Sequence, residues 1–534
     1  MNIIVDLNYT IKDGTEATFR SPVDCSQVTG LKVYYIGDDG NTASQEFVFA
    51  DAHGNNVGDI DHLFAENVAV KVILDVTTGM AFVQNADTNA YLEGRFADVE
   101  MQFPQLIQTR YTSISDALEK TNPNANGMVG AYTDNAGGYH ITLFGNIESN
   151  VTITINKDCT LHLNGHTLSF TAAGAFLDIT ANVTIDGTAA GSALAKDGVT
   201  SSASEKLVQA NGGHLTINGG TYSMTNITGT FAIPIRAEKA TGTQLTMSGC
   251  TVVSSGLGTT KAYGAQVQSS TTIKQCNFTA DVQNSNAIGV SAMGANPFTV
   301  TDTKVFARAW ARGANAYGIN LGSTTVATIN NCDVRADGYA DINGTQYSAN
   351  AIYTTSKVTL TINGGYYMGS REALNVGCVT RVNGGIFDGC QHGGAYLSGA
   401  DIKVKNATFR SVPVPSSWLW YCGNSHGGSV YCGSDTGASN VYFDGCYFEN
   451  IVESNNAIAA KYYNTNVYLS NCVIAPGKQS LDLRAGDYNA TDGANKDTIF
   501  VGKNVSYDAT KTLTAVNGVI DTTTYANTEW LQDM

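Results

Sequence analysis

Charge is scarce in this chain. Only 14% of its 534 residues are Asp, Glu, Lys or Arg, and acidic residues outnumber basic ones 46 to 30, giving a net charge of −16 at pH 7. That sign repels phosphate backbones and anionic lipid, so neither nucleic acid nor membrane is an expected partner. Proline is scarcer, with eight residues, and no apolar run reaches the length of a membrane span. The opening Met1-Asn-Ile-Ile-Val-Asp6 has no basic stretch leading into an apolar one, so no secretory signal is expected. The eleven cysteines are odd in number and lack CxxC or Cys/His spacing, so neither a disulfide framework, nor a metal, nor any cofactor is expected. What the chain has in abundance is glycine, 56 residues, together with Thr, Asn and Ser.

Those residues are organised by a recurring phrase. It reads Leu215-Thr-Ile-Asn-Gly-Gly220, Leu245-Thr-Met-Ser-Gly-Cys250, Thr271-Thr-Ile-Lys-Gln-Cys276, Ala327-Thr-Ile-Asn-Asn-Cys332 and Leu360-Thr-Ile-Asn-Gly-Gly365. It returns as Thr380-Arg-Val-Asn-Gly-Gly385, Ile402-Lys-Val-Lys-Asn-Ala407, Val441-Tyr-Phe-Asp-Gly-Cys446 and Val467-Tyr-Leu-Ser-Asn-Cys472. A degenerate copy ends at Thr303. Repeats of 20 to 30 residues mean stacked units that cannot bury their apolar faces alone. Within each, strand alternation leads to a turn at Asn/Ser-Gly, a small residue and a further strand. This is one coil of a right-handed parallel β-helix, an all-β solenoid that grows along one axis and so escapes the size limit of a single core. Cys250, Cys276, Cys332, Cys446 and Cys472 share a place with Gly220, Gly365, Gly385 and Ala407, so they are expected to be inward-pointing free thiols. Free thiols suit a protein folded in the cytosol.

A strand opening on Asn precedes the phrase in several coils, at Asn286, Asn315, Asn350 and Asn456. Aligned on that Asn, the strands predict an amide ladder, with Ile288, Tyr317, Ile352 and Ile458 inward. Ala287, Gly289, Ala316, Gly318 and Ala351 then form a smooth outer surface that a second copy of the chain can approach. Residues 1–105 do not follow the coil pattern and read as a separate small β domain. Residues 106–140 read as a linker with a short capping helix, Ser113 to Lys120, whose Ser113 and Asp116 stand at capping-box spacing. The coils occupy 141–505 and a C-terminal cap 506–534.

The amphipathic helix followed by Ile141-Thr-Leu-Phe-Gly-Asn-Ile147 and Leu161-His-Leu-Asn-Gly-His166 resembles the entry of pectin-lyase-like β-helices, a likeness covering residues from about 110 to 505. That fold serves lyases, hydrolases, adhesins and phage spikes alike. Val70-Lys-Val-Ile-Leu-Asp75 with Ala81-Phe-Val-Gln-Asn-Ala-Asp-Thr-Asn-Ala-Tyr-Leu-Glu93 is similar to segments near the start of tail-associated and fibre proteins of Firmicutes phages and prophages. The two resemblances imply a virion spike or fibre, made in the bacterial cytosol and homotrimeric. They imply that the N-terminal domain joins other virion proteins and that the shaft meets a bacterial surface polysaccharide. No catalytic motif comes with either.

Candidate chemistry follows from counting along the coils. From Cys276, Thr303 and Cys332, the fifth residues are Asp281, Arg308 and Asp337, the seventh Gln283, Trp310 and Tyr339, the ninth Ser285, Arg312 and Asp341. One strand face carries all three positions. Arg308, Trp310, Arg312 and Tyr339 are thus glycan-binding candidates, the rings covering an apolar sugar face and the charges meeting its polar groups. The same pattern also reads as a stabilising ladder of charges and aromatics. A long coil holding Trp418, Trp420 and His426 supplies the second binding candidate, or else a lid. As an enzyme the protein would be a polysaccharide lyase or glycoside hydrolase, with Asp281, Asp337 and Asp341 as candidate carboxylates. Asp482, Arg484 and Asp487 form a further mixed cluster, and His166 and His426 fall in turns. Three functions remain open at this point: glycan-binding spike, depolymerase and structural decoration.

Overall fold

In the computed structural model, the described residues are 2–7, 9–20, 29–50, 69–85, 109–124, 126–133, 137–295, 297–338, 348–390, 393–413, 415, 428–433, 437–450, 456–461, 464–476, 481–486, 497–514 and 518–523. Tyr339, Asp341, Trp418, Trp420, His426 and Asp487 lie outside them. The chain divides into two compact units, Met1–Thr142 and Leu143–Met534.

The first unit contains a six-stranded mixed sheet formed by Asn2–Asp6, Thr15–Arg20, Gly30–Ile36, Thr42–Ala50, Ala69–Asp75 and Met80–Asn85. Alternate residues such as Leu31, Val33, Phe47, Phe49, Val72 and Leu74 bury one face. The hairpin between its last two strands turns at Thr77-Thr-Gly79, where Gly79 has φ 71° and donates to Asp75. A helix, Ile114–Glu119, opens at Ser113, whose hydroxyl accepts from the Asp116 N–H at 3.0 Å. The Asp116 carboxylate answers the Ser113 hydroxyl at 2.6 Å, where a capping box would have it take the backbone N–H.

The second unit is a parallel β-helix. A typical coil runs through three strands, such as Ser270–Lys274, Asn277–Val282 and Ala287–Met293, each hydrogen-bonded in parallel to its counterpart one coil on. The first strand is the recurring phrase, and its register follows the sequence spacing through every copy from Leu215 to Val467. The corner is left-handed at the fifth residue of the phrase, and in the Gly-Gly copies Gly220, Gly365 and Gly385 add a second positive φ of 83°, 104° and 112°. Gly249, Gln275, Asp302, Asn331, Gly364, Asn406, Gly445 and Asn471 all have φ between 48° and 68°. Gly and Asn tolerate this left-handed conformation best, which is why they end the phrase.

The next residue turns inward. Cys250, Cys276, Cys332, Cys446 and Cys472 are at most 1% exposed and free. Each thiol donates to the carbonyl two residues back, from Cys472 to Ser470 at 3.1 Å and from Cys332 to Asn330 at 3.2 Å. Thr303, in the degenerate copy, makes the same bond with its hydroxyl at 2.9 Å. The column is thus filled by small side chains, and where one carries a donor it is satisfied by its own strand. Further along the second strand, Tyr367, Phe387, Phe409 and Phe448 stack through the core with centroids 4.9, 5.0 and 5.7 Å apart.

The third strand corrects two expectations. Asn286 and Asn315 do cap the next coil, accepting from the backbone N–H groups of Asn315 and Ser348 at 2.9 and 2.8 Å. Asn350, however, stands opposite Tyr317, two residues further along, and Asn456 opposite Gly428, so the four make no common ladder. The small residues are also inside. Ala287 and Ala316 pack against Ala280, Ala307 and Ala309 of the second strands. A Cβ on Gly289 would lie 2.1 Å from Val305 Cγ1, and on Gly318 2.3 Å from Val334 Cγ1. Ile288 and Tyr317 take the outer face in a cluster with Ile233, Tyr263 and Phe231. Ile352 and Ile458 are fully buried, as expected, in register with Ile319 and Val430. The strand changes phase at Gly289 and Gly318, so Val290 and Ile319 return to the core. The glycine stripe is thus a relief cut for Val305 and Val334 and offers no outer surface to another copy.

Two outcomes follow. Gly289→Ala and Gly318→Ala each overpack the core and should cost about 1–3 kcal/mol in chemical denaturation, where an outward glycine would tolerate the change. Burial pushes the Cys332 thiol up to about 11 and those of Cys159 and Cys390 to about 12. The column cysteines are closed off by burial itself, so a bulky thiol reagent at pH 8 should leave all of these thiols unlabelled until the chain is denatured; rapid native labelling would place them outside the core.

Candidate glycan-contacting face

The second strands carry the residues singled out by counting. Asp281, Arg308 and Asp337 are register neighbours on consecutive coils. Arg308 Nε donates to Asp337 Oδ2 at 2.7 Å, and its guanidinium lies 4.9 Å from the Phe306 ring and 5.2 Å from that of Trp310. Trp310 follows the strand Lys304–Ala309; its backbone N–H donates to Val282 and its indole N–H to Asp281 Oδ1 at 2.6 Å. The ring remains 40% exposed. Arg308 thus lies between the rings of Phe306 on its own strand and Trp310 just beyond it, and Trp310 is pinned at its edge while a good part of its surface stays open.

The carboxylates differ sharply. Asp337 is fully buried, taking Arg308 on one oxygen and the Ser370 hydroxyl at 3.3 Å on the other. A carboxylate in that position is a structural counter-ion, closed to a substrate oxygen. Asp281 is half-buried, and its two oxygens have more lone pairs than the single indole bond uses. Arg312 and Gln283 are exposed.

Counting three residues from the same aligned positions, instead of five, finds a longer column that the sequence reading passed over: Thr279, Phe306, Arg335, Met368, Asp388, Arg410 and Glu449. Arg410 grips Asp388 through two bonds of 2.7 Å, and that partnership holds its guanidinium above the ordinary range. The Tyr366 hydroxyl donates to Asp388 at 2.9 Å; burial first, then the Asp388 charge, push its pKa up. Arg335 lies 5.1 Å from the Tyr366 ring while pairing with Asp333 at 2.8 and 2.9 Å. The face therefore alternates rings with neutralised cation–carboxylate pairs over several coils. A second aromatic group stands on the third strands, where Tyr317 meets Tyr353 at 4.9 Å. The sequence reading missed it because it turned Tyr317 inward.

The other candidates separate from this face. Asp482 is buried and accepts from the Asp508 N–H at 2.8 Å, and Arg484 is nearly buried. His166 closes a turn, its N–H donating to Leu163 at 2.9 Å. Among the described residues no cluster of three His, Cys, Asp or Glu side chains is placed to hold a metal ion, and no helix is long and apolar enough to cross a membrane.

The two halves of the face should respond differently to mutation. Trp310→Ala removes an exposed ring and should cost about 1 kcal/mol or less in thermal or denaturant melts. Asp337→Ala strands Arg308 beside a buried gap and should cost about 3–5 kcal/mol. Equal costs would contradict the exposure of Trp310. Compared with models of known protein families and with curated proteins, the chain matches none.

Proposed function

We propose that the protein is a spike or fibre of a phage virion whose solenoid shaft binds a bacterial cell-surface polysaccharide. The observation that carries the reading is Trp310, an exposed ring on the outer face of a rigid scaffold, fixed at its N–H by Asp281 and at its face by Arg308. Sugars present apolar C–H faces beside hydroxyls. An open aromatic surface edged by hydrogen-bonding charges is complementary to both. Pre-fixing those groups lowers the ordering cost of binding. The resemblance of the first hundred residues to phage tail-associated proteins supports the virion setting, with that region as the attachment end.

Asp337 is a poor partner for Asp281 in a hydrolytic pair. Hydrolysis needs two carboxylates able to reach one glycosidic bond, and Asp337 is committed to Arg308 and Ser370.

The test is binding of the full-length chain to bacterial envelope polysaccharides on an array, with release of new reducing ends or unsaturated sugars followed in parallel. Binding without product, weakened by about 1–2 kcal/mol in Trp310→Ala, is the expected result. Product release that survives Asp337→Asn would identify a depolymerase working elsewhere on the shaft. Absence of binding to any envelope glycan would leave a structural decoration.

A further inference from the structure

The first strands carry a face that plays no part in the reading above. Register places Thr160, Thr184, Thr216, Thr246, Thr272, Thr299, Thr328 and Thr361 in one unbroken outward column, one threonine per coil. All eight are at least partly exposed. Two residues further along each strand runs a second polar column, which includes Asp186, Asn218 and Ser248. Over the first coils Thr160 and Thr184 of the first column, with Asp186, Asn218 and Ser248 of the second, floor a shallow, open groove of about 700 Å³. One wall is the left-handed corner, where Gly219 and Gly249 have no side chain to close it.

We infer that this groove binds a neutral, hydroxyl-rich polymer, a linear polysaccharide segment lying parallel to the solenoid axis. The proposal rests on the glycan reading for the class of ligand but places it on a different face with a different chemistry. Three features select that ligand. The hydrogen-bonding groups recur once per coil, at the strand spacing of about 4.8 Å, so a ligand that also repeats along its length satisfies several at once. Each threonine offers a methyl group beside a hydroxyl that both donates and accepts, matching the mixed C–H and O–H surface of a sugar. The one charged side chain lining the groove is acidic: Asp186, held by the Thr188 hydroxyl at 2.7 Å and by His162 Nδ1 at 2.9 Å, sets a carboxylate against any acidic sugar. No arginine or lysine lines the groove to reward an acidic sugar, in contrast to the face around Arg308.

The test titrates the full-length chain with a panel of neutral linear hexasaccharides of gluco, manno and galacto configuration, and with hexasaccharides of uronic acids. Thr160→Val with Thr184→Val removes two hydroxyls that line the groove and keeps branched side chains suited to a strand. Ser248→Lys fills the groove, and the fold already accepts lysine at that register, since Lys274 stands there one coil on. At least one neutral hexasaccharide should bind, with affinity reduced at least tenfold by the double threonine variant and abolished by Ser248→Lys. Neutral binding that ignores both variants overturns the proposal. So does binding of uronic acid glycans alone with dependence on Trp310, an outcome that leaves the glycan-binding reading standing. If no glycan of either kind binds, and envelope polysaccharides fail as well, both readings fall.

Discussion

Parallel hydrogen bonding in register between one coil and the next is the constraint from which the rest follows. Once the left-handed corner sets the phase of each phrase, every position in a coil sits above its counterpart, and a choice made in one coil is imposed on its neighbours. Inside, that produces the column of cysteines with Thr303 standing in as a donor, and the ring stack from Tyr367 to Phe448. Outside, it produces threonines on the first strands and alternating rings and ion pairs on the second. Asn330, Asn363 and Asn383 show the same logic for amides, each later side chain donating to the Oδ1 of the one before at 2.8 and 2.9 Å.

How much of this was legible in the sequence depended on backbone geometry. The phrase was readable because its fifth residue must enter the left-handed region and its sixth must be small, two demands that few residue types meet. The third strand has no such marker. Its leading Asn is a capping residue in two coils and something else in the others, so alignment on Asn350 was two residues out. The phase change at Gly289 and Gly318 then defeated simple alternation. The reason for those glycines is the facing valine, a contact between strands that no local pattern records. The candidate face was half visible for a similar reason. The charges of Asp281, Arg308 and Asp337 announce themselves in the fifth-residue column, whereas Thr279, Met368 and Phe306 conceal the longer column that also holds Arg335, Asp388 and Arg410.

Scarce charge is used economically on this shaft. Arg308 with Asp337, Arg410 with Asp388 and Arg381 with Asp401 bridge successive coils, so cations and carboxylates cancel along the axis. Lys196 and Glu205 form a pair buried in the core itself, backed by the Gly174 carbonyl at 2.7 Å and the Phe170 ring at 4.7 Å. Desolvation lowers the Lys196 pKa while Glu205 opposes it. A pair as exposed as Arg381 with Asp401 contributes little by itself; together the pairs also disfavour a slipped register, which would set like charges against each other.

The spacing of the strands also separates what must be constant from what is free. Two residues join the first strand to the second in the coils that begin at Gln244, Ser270, Phe298, Val326 and Thr359. The connection from second strand to third is two residues after Gly369, six after Ala309, ten after Gly338 and sixteen after Ser411. Trp310, Arg312, Tyr339, Asp341, Trp418 and Trp420 all fall in that one connection. On the proposal built around Trp310, the candidate contact residues of that edge and the residues that fix the fold therefore stand on different parts of the same coil. A lineage under pressure to follow a changing target can lengthen, shorten or exchange this edge without renegotiating the core, and an engineer seeking to graft a new specificity has the same place to write.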